Sequence, residues 1–249
     1  MAKTIAVAGK GGTGKTTLVS LIVDYLVQKK QGPILAIDAD PDSNLGTLLG
    51  FKKVKTVGEL RDEVLKEMKD FPAGMTKASY MEAGLHEIIE EADGFDLLTM
   101  GRGEGPGCYC YLNNLIRKFS EDLTPSYKWV VIDNEAGLEH INRRTSSNVD
   151  ILMVVVNNNP ISINTARSVD QITKSLKNKI YKKYLVTNQI KEGRKEVIQQ
   201  LAEETGMEYV CDIPSDDILE ETIFNGGSLR GLDSPAKEGI FSLMEKIGG

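Results

Sequence analysis

Gly9-Lys10-Gly11-Gly12-Thr13-Gly14-Lys15-Thr16-Thr17 is the stretch on which the reading of this chain turns. Before it, Thr4 to Ala8 is a short apolar run with the character of a buried strand. After it, from Thr16 to Lys29, Leu18, Leu21, Ile22, Tyr25 and Leu26 recur at helical spacing and form one stripe. Strand, glycine loop and helix therefore follow one another. Glycines adopt backbone torsions that other residues resist, so successive N–H groups turn inward around phosphate oxygens where a helix begins. In such a loop the backbone of Gly11, Gly12, Thr13, Gly14, Thr16 and Thr17 forms the cradle. Lys15 reaches the outer phosphates, and the Thr16 hydroxyl is a Mg²⁺ ligand.

Outward from this loop, short β-branched runs alternate with longer amphipathic stretches, which implies crossover units and a mostly parallel sheet. Strands are predicted near Thr4 to Ala8, Pro33 to Ile37, Asp96 to Met100, Trp129 to Ile132, Ile151 to Val156, Tyr184 to Thr187 and Glu208 to Cys211. The expected fold is α/β, a single P-loop NTPase domain over residues 1–249 with a seven- to eight-stranded, mostly parallel sheet flanked by helices. From about Phe51 to Gly94 runs a charged, helix-prone insertion, with Leu60, Val64, Leu65 and Met68 at helical spacing. It reads either as a solvated helical pair over one sheet edge or as a docking surface.

Composition narrows the partners. A formal net charge of −6 removes the general electrostatic pull toward nucleic acid or an anionic bilayer, so neither is expected. No apolar run approaches the roughly 20 residues of a membrane span, and Met1 to Gly9 is too short for a secretory core, so a cytoplasmic protein is expected. Three cysteines, an odd number, argue for thiol or metal chemistry over a disulfide framework.

Two carboxylate loops complete the predicted nucleotide edge. Asp38, Asp40 and Asp42 follow the second predicted strand, and in a parallel sheet such a loop emerges beside the phosphate loop. Asp42 reads equally as a turn cap. Val130-Val131-Ile132-Asp133 is an apolar strand ending in Asp, the Walker B pattern, which assigns Asp133 to Mg²⁺ through water. Beyond it, Gly137 is flexible enough to follow a γ-phosphate. Lys10 departs from a plain Walker A loop, because a second cation sits where it need not face its own phosphates; the alternative is a solvated lysine.

Lys10-Gly11-Gly12-Thr13-Gly14-Lys15-Thr16-Thr17 resembles the deviant Walker A of the family that includes nitrogenase iron protein, the arsenite-pump ATPase, the Par and Min positioning ATPases and nickel-site maturation ATPases. The resemblance implies that Lys10 crosses a two-fold interface to the partner's nucleotide, hence a homodimer closing around two ATP molecules. It also implies that Asp40 orients the attacking water with Asp38 near Mg²⁺, and that Asn188 and Pro214 contact adenine, Asn188 being otherwise a turn residue. Adenine rather than guanine is implied because Asn188-Gln189-Ile190-Lys191 lacks the final Asp of the guanine-reading motif.

Cys108 and Cys110 stand one residue apart, after another predicted strand and before a helix-prone stretch from Tyr111 to Phe119. A lone CxC is a weak signal that by itself favours two buried structural cysteines over a metal pair. Two thiolates do not fill the four-donor shell that soft divalent ions usually take, so a metal site needs a second copy, which a two-fold axis would supply. Gly105-Pro106-Gly107-Cys108-Tyr109-Cys110 together with Asp133-Asn134-Glu135-Ala136-Gly137-Leu138-Glu139-His140 resembles the CooC and AcsF type of maturation ATPase, which serves carbon monoxide dehydrogenase and acetyl-CoA synthase. That resemblance implies an ATP-dependent metallochaperone for Ni²⁺, with Zn²⁺ able to occupy the same thiolates, and one of those apo-enzymes as client.

Cys211 and His86 read as structural and surface residues, and His140 as a neighbour of the second switch. Two other functions remain open at this stage. An iron–sulfur electron donor resembling nitrogenase iron protein would want a cysteine after the second switch, where this chain has none before Cys211. A Par- or Min-type positioning ATPase would use the stretch from Gly239 to Ile247 as an anchor, but its charges cancel, and docking on the core is the expectation.

Overall fold

In chain order the strands are β1 (Lys3–Gly9), β2 (Ile34–Asp38), β3 (Glu90–Ala92), β4 (Phe95–Thr99), β5 (Trp129–Asp133), β6 (Val149–Val156), β7 (Ile180–Asn188) and β8 (Glu208–Ile213). They come from a computed structural model that describes residues 2–66, 77–102, 118–119, 122–135, 148–175 and 179–248. The strands form one sheet in the order β3-β4-β2-β5-β1-β6-β7-β8. Every pairing is parallel except the edge pair β3 and β4. Seven of these strands lie where the apolar runs predict them. The eighth, β3, corrects the reading of the insertion: it pairs antiparallel with β4 across the turn at Asp93 and Gly94. Gly94 has φ +88, a conformation that favours glycine at such a tight connection.

The described helices are α1 (Lys15–Gln28), α2 (Leu45–Leu48), α3 (Val57–Lys66), α4 (Lys77–Glu87), α5 (Pro160–Ser175), α6 (Lys195–Thr205), α7 (Asp217–Phe224) and α8 (Pro235–Ile247). The two-residue period of the strands divides their side chains between two cores. Ile5, Val7, Trp129, Val131, Met153 and Val155 face α1, α2, α7 and α8. Ala6, Ala8, Val130, Ile132, Leu152 and Val154 face α3, α4, α5 and α6. Burial on both faces explains why these strands read as continuous apolar runs rather than alternating ones.

The insertion does contain a helix pair. Leu60 and Val64 of α3 are buried as expected, and α4 crosses so closely that a Cβ on Gly84 would meet Leu60 Cδ1 at 2.5 Å. His86 is exposed on α4, its ring edge-on to Phe119 at 4.9 Å. Met68 lies outside the described residues.

The C-terminal stretch docks on the core. Ile240, Leu243 and Met244 of α8 are buried, each worth about 1.5–3 kcal/mol by removal from water. Lys237 Nζ meets Asp24 of α1 at 3.2 Å, both side chains largely buried, and Phe241 stacks edge-on to Tyr25 at 5.1 Å. Among the described residues no helix is long and apolar enough to cross a membrane.

Candidate nucleotide site

β1 leaves the sheet at Gly9, where φ is +148 and a Cβ would lie 2.4 Å from the Val155 carbonyl oxygen. Only glycine lets the chain turn so close to β6. The loop that follows closes on one acceptor. The Lys10 carbonyl receives the Thr13 N–H at 3.3 Å, the Thr13 hydroxyl at 2.8 Å and the Lys15 ammonium at 3.5 Å. Thr13 and Lys15 are thereby buried, while Gly11 and Gly12 stay exposed and Thr16 and Thr17 half-buried. Lys10 itself turns outward, half-buried, its ammonium 3.3 Å from the Gly11 carbonyl.

Gly14, at φ +92, precedes α1 without any side-chain cap, and the first turn carries no acidic residue. The opening amides of α1 are therefore left for an external acceptor, at the positive end of the helix dipole.

The parallel register sets two carboxylates side by side: Asp38 at the end of β2 pairs with Asp133 at the end of β5. Both are fully buried. Burial pushes the Asp38 carboxyl up to about 6, against hydrogen bonds from the Leu45 and Asp40 backbone N–H groups at 2.9 and 3.1 Å. Burial likewise pushes Asp133 up to about 7, opposed by the Thr16 hydroxyl and the Lys15 ammonium and reinforced by the charges of Asp38 and Asp40. Among the described residues neither oxygen of Asp133 completes a hydrogen bond, though the Thr16 hydroxyl lies near it.

A buried carboxylate with two unfilled acceptors beside a threonine hydroxyl fits Mg²⁺, which takes one or two protein oxygens and fills its shell with water and phosphate. Asp133 and Thr16 are the residues that would hold it. Asp40, half-buried, accepts from the Asp42 N–H at 3.0 Å. Asp42 is exposed and meets Arg102 at 3.4 Å, where the chain leaves β4.

A cavity of about 350 Å³ runs from the phosphate loop at Gly12, Gly14 and Thr17 to an apolar end at Ile213, Pro214, Leu219 and Ile223. Asn188 and Pro214 both line it. Asn188 also has a task the sequence did not suggest: its Nδ2 donates to the Thr13 carbonyl at 3.0 Å, tying β7 to the phosphate loop. A Cβ on Gly14 would sit 2.5 Å from that amide, which is why the loop has no side chain there.

Several lining residues escaped sequence reasoning. Asn157 and Asn158, at the end of β6, read only as a turn. Asp216 accepts from the N–H groups of Leu219 and Ala236 at 3.1 and 2.9 Å, and so binds the starts of α7 and α8 together. Burial works to raise its carboxyl, but these amides and Ser234 outweigh it and hold it below the usual carboxylate range. The Ser-Asp-Asp run at positions 215–217, just before an apolar helical stretch, was the available capping signal.

Cys108, Cys110, Gly137 and His140 lie outside the described residues. Among the described residues no group of three or more His, Cys, Asp and Glu side chains is arranged as a metal shell. Cys211 on β8 is a free thiol partly packed on the core, and burial pushes it up to about 11, so it is protonated and inert at neutral pH.

This geometry agrees with the relatives of the chain. Residues 4–229 match the CobQ/CobB/MinD/ParA nucleotide binding domain family. An uncharacterised ATP-binding protein of Methanocaldococcus jannaschii is 40% identical over 245 residues, covering 98% of this chain and 96% of that one. The carbon monoxide dehydrogenase accessory protein CooC of Rhodospirillum rubrum is 33% identical over 187 residues, 69% of each chain. The cell division ATPase MinD of Pyrococcus furiosus superposes with a TM-score of 0.70 at 20% identity, covering 100% of this chain and 99% of that one, a likeness of fold. A glycine loop with the Walker A sequence, a buried strand-end carboxylate beside it and a family match over most of the sequence lead to one conclusion: the chain is a P-loop ATPase of the CobQ/CobB/MinD/ParA nucleotide-binding family.

Proposed function

We propose that this ATPase is a metallochaperone, a homodimer that takes up Ni²⁺ and passes it to apo-carbon monoxide dehydrogenase or apo-acetyl-CoA synthase. The observation that carries the reading is the Cys108-Tyr109-Cys110 motif in a chain one-third identical to CooC over 187 residues. Cys108 and Cys110 of two chains give four thiolates, the donor number that soft divalent ions take, and Zn²⁺ competes for the same set. Arg102, which follows β4, pairs with Asp42 in the loop that also holds Asp40.

In this reading Lys15 and the amides from Gly11 to Thr17 hold the triphosphate, and Lys10 reaches across to the twin's nucleotide. Asn188 and Pro214 flank adenine, and Asp38 shapes the first switch around Asp40. Asp40 orients the water that attacks the γ-phosphorus, breaking the bond to the β,γ-bridging oxygen and releasing ADP and phosphate. Mg²⁺, held through Thr16 and Asp133, supplies charge neutralisation at the phosphates. Binding and hydrolysis bias the dimer between a cargo-holding and a cargo-releasing state, a coupling of on the order of 1–3 kcal/mol.

Replacing Cys108 and Cys110 together with Ala tests this. Bound nickel, measured by mass spectrometry of the metal, falls from one ion per dimer to none. Nickel content equal to that of the unaltered protein ends the reading. Bound iron with sulfide would favour electron donation, and ATP-dependent co-sedimentation with DNA or vesicles would favour positioning.

A further inference from the structure

The run Asn157-Asn158-Asn159-Pro160 carries no motif, yet it joins β6 to α5, and Asn157 and Asn158 line the cavity beside the phosphate loop. Asn157 donates from Nδ2 to the Gly12 carbonyl at 3.3 Å. Its own backbone is fixed by Ser162, a fully buried side chain whose hydroxyl accepts from the Asn157 N–H at 3.1 Å and donates its one hydrogen to the Asn159 carbonyl at 2.6 Å. Its Oδ1 accepts the Asn159 N–H at 3.1 Å. The residue that meets the phosphate loop is thus held through its backbone N–H and its side-chain oxygen.

The loop needs such an anchor at this point. Gly12 has φ +76, and a Cβ built on Gly11 or Gly12 would meet no atom within 4 Å, so packing does not restrain this stretch. A peptide unit carries its C=O and the following N–H in opposite directions. Holding the Gly12 carbonyl toward Asn157 therefore aims the Thr13 N–H at the Lys10 carbonyl, where it closes the turn at 3.3 Å. Asn188 does the same for the next unit by holding the Thr13 carbonyl, which aims the Gly14 N–H the other way. Two asparagines from adjacent strands pin two consecutive peptides of the loop.

We propose that Asn157 is a positioning residue for phosphate binding: through the Gly12 carbonyl it keeps the glycine loop in the turned-in shape that offers amides to a nucleotide's phosphates. Its effect is confined to ligands that carry phosphates. It rests on the ATPase alone and is independent of nickel delivery.

The test compares affinities for ADP and for adenosine, each measured by displacement of a fluorescent ADP analogue. Losing one neutral hydrogen bond in Asn157→Ala weakens ADP about three- to tenfold, while adenosine binding changes by less than about twofold. Asn157→Ser retains a hydroxyl able to accept the Asn159 N–H but too short to reach Gly12. It gives the same change in the ADP-to-adenosine ratio if the alanine variant folds poorly.

Asn159→Ala is the structural control. It removes the hydrogen bond from Asn159 Oδ1 to the Ile161 N–H at the start of α5, lowering the melting temperature and leaving the ratio unchanged. An unaltered ratio in both Asn157 variants, or an equal shift in Asn159→Ala, overturns the proposal.

Discussion

Asp38 and Asp133 sit in register on neighbouring strands, equally buried, and each is pushed up by that burial, to about 6 and about 7. What separates them is satisfaction. Asp38 spends both oxygens on backbone amides, of Asp40 and Leu45, and so shapes the loop and starts α2. Asp133 spends neither among the described residues. Burial alone therefore does not decide what a carboxylate does, since on one strand both oxygens hold backbone amides and on the next both are left open among the described residues. Asp216 extends the comparison: less deeply buried and richer in donors, it is lowered where the other two are raised.

The largest effect that sharpens this contrast comes from Asp133→Asn. Turnover of ATP falls on the order of a hundredfold or more, because the charge that holds Mg²⁺ is gone. Stability without divalent cation does not fall, since an unpartnered buried charge has been removed. The sign with pH follows from linkage. The folded carboxyl near 7 keeps a proton that the unfolded one, at 3.8, has lost. The cation-free protein therefore gains stability from this group as pH falls from about 7 toward 4, and Asp133→Asn removes that gain. Melting temperatures across that range in a chelating buffer, beside turnover at neutral pH, check both halves.

A smaller effect of opposite kind is expected at Asp38. Asp38→Ala leaves the Leu45 and Asp40 amides buried without their acceptor and costs about 1–2 kcal/mol of folding stability in urea titration. If Asp38→Ala instead left stability intact and stopped turnover as completely as Asp133→Asn, the roles assigned to the two strands would have to be exchanged.

The same distinction explains what the sequence could tell. Strands such as Val149–Val156 are legible because burial on both faces demands an unbroken apolar run. β3 is not: Glu90, Glu91 and Ala92 form a short charged edge strand of the kind that discourages further pairing, and its only sign is the Asp93-Gly94 turn. The glycine loop that ends at Lys15 and Thr16 and the strand that ends at Asp133 are legible as patterns because each depends on local spacing. The braces at Asn157 and Asn188 are not, because each meets its carbonyl across well over a hundred residues of chain, and any asparagine after a strand reads as a turn.

The central claim, a symmetric pair of chains sharing one ion while hydrolysing ATP, is tested most directly by native mass spectrometry of protein carrying both nickel and a non-hydrolysable ATP analogue. The account predicts a species of two chains, two nucleotides and a single nickel ion, lost on replacing Cys108 and Cys110. A single chain holding nucleotide and nickel by itself would contradict it.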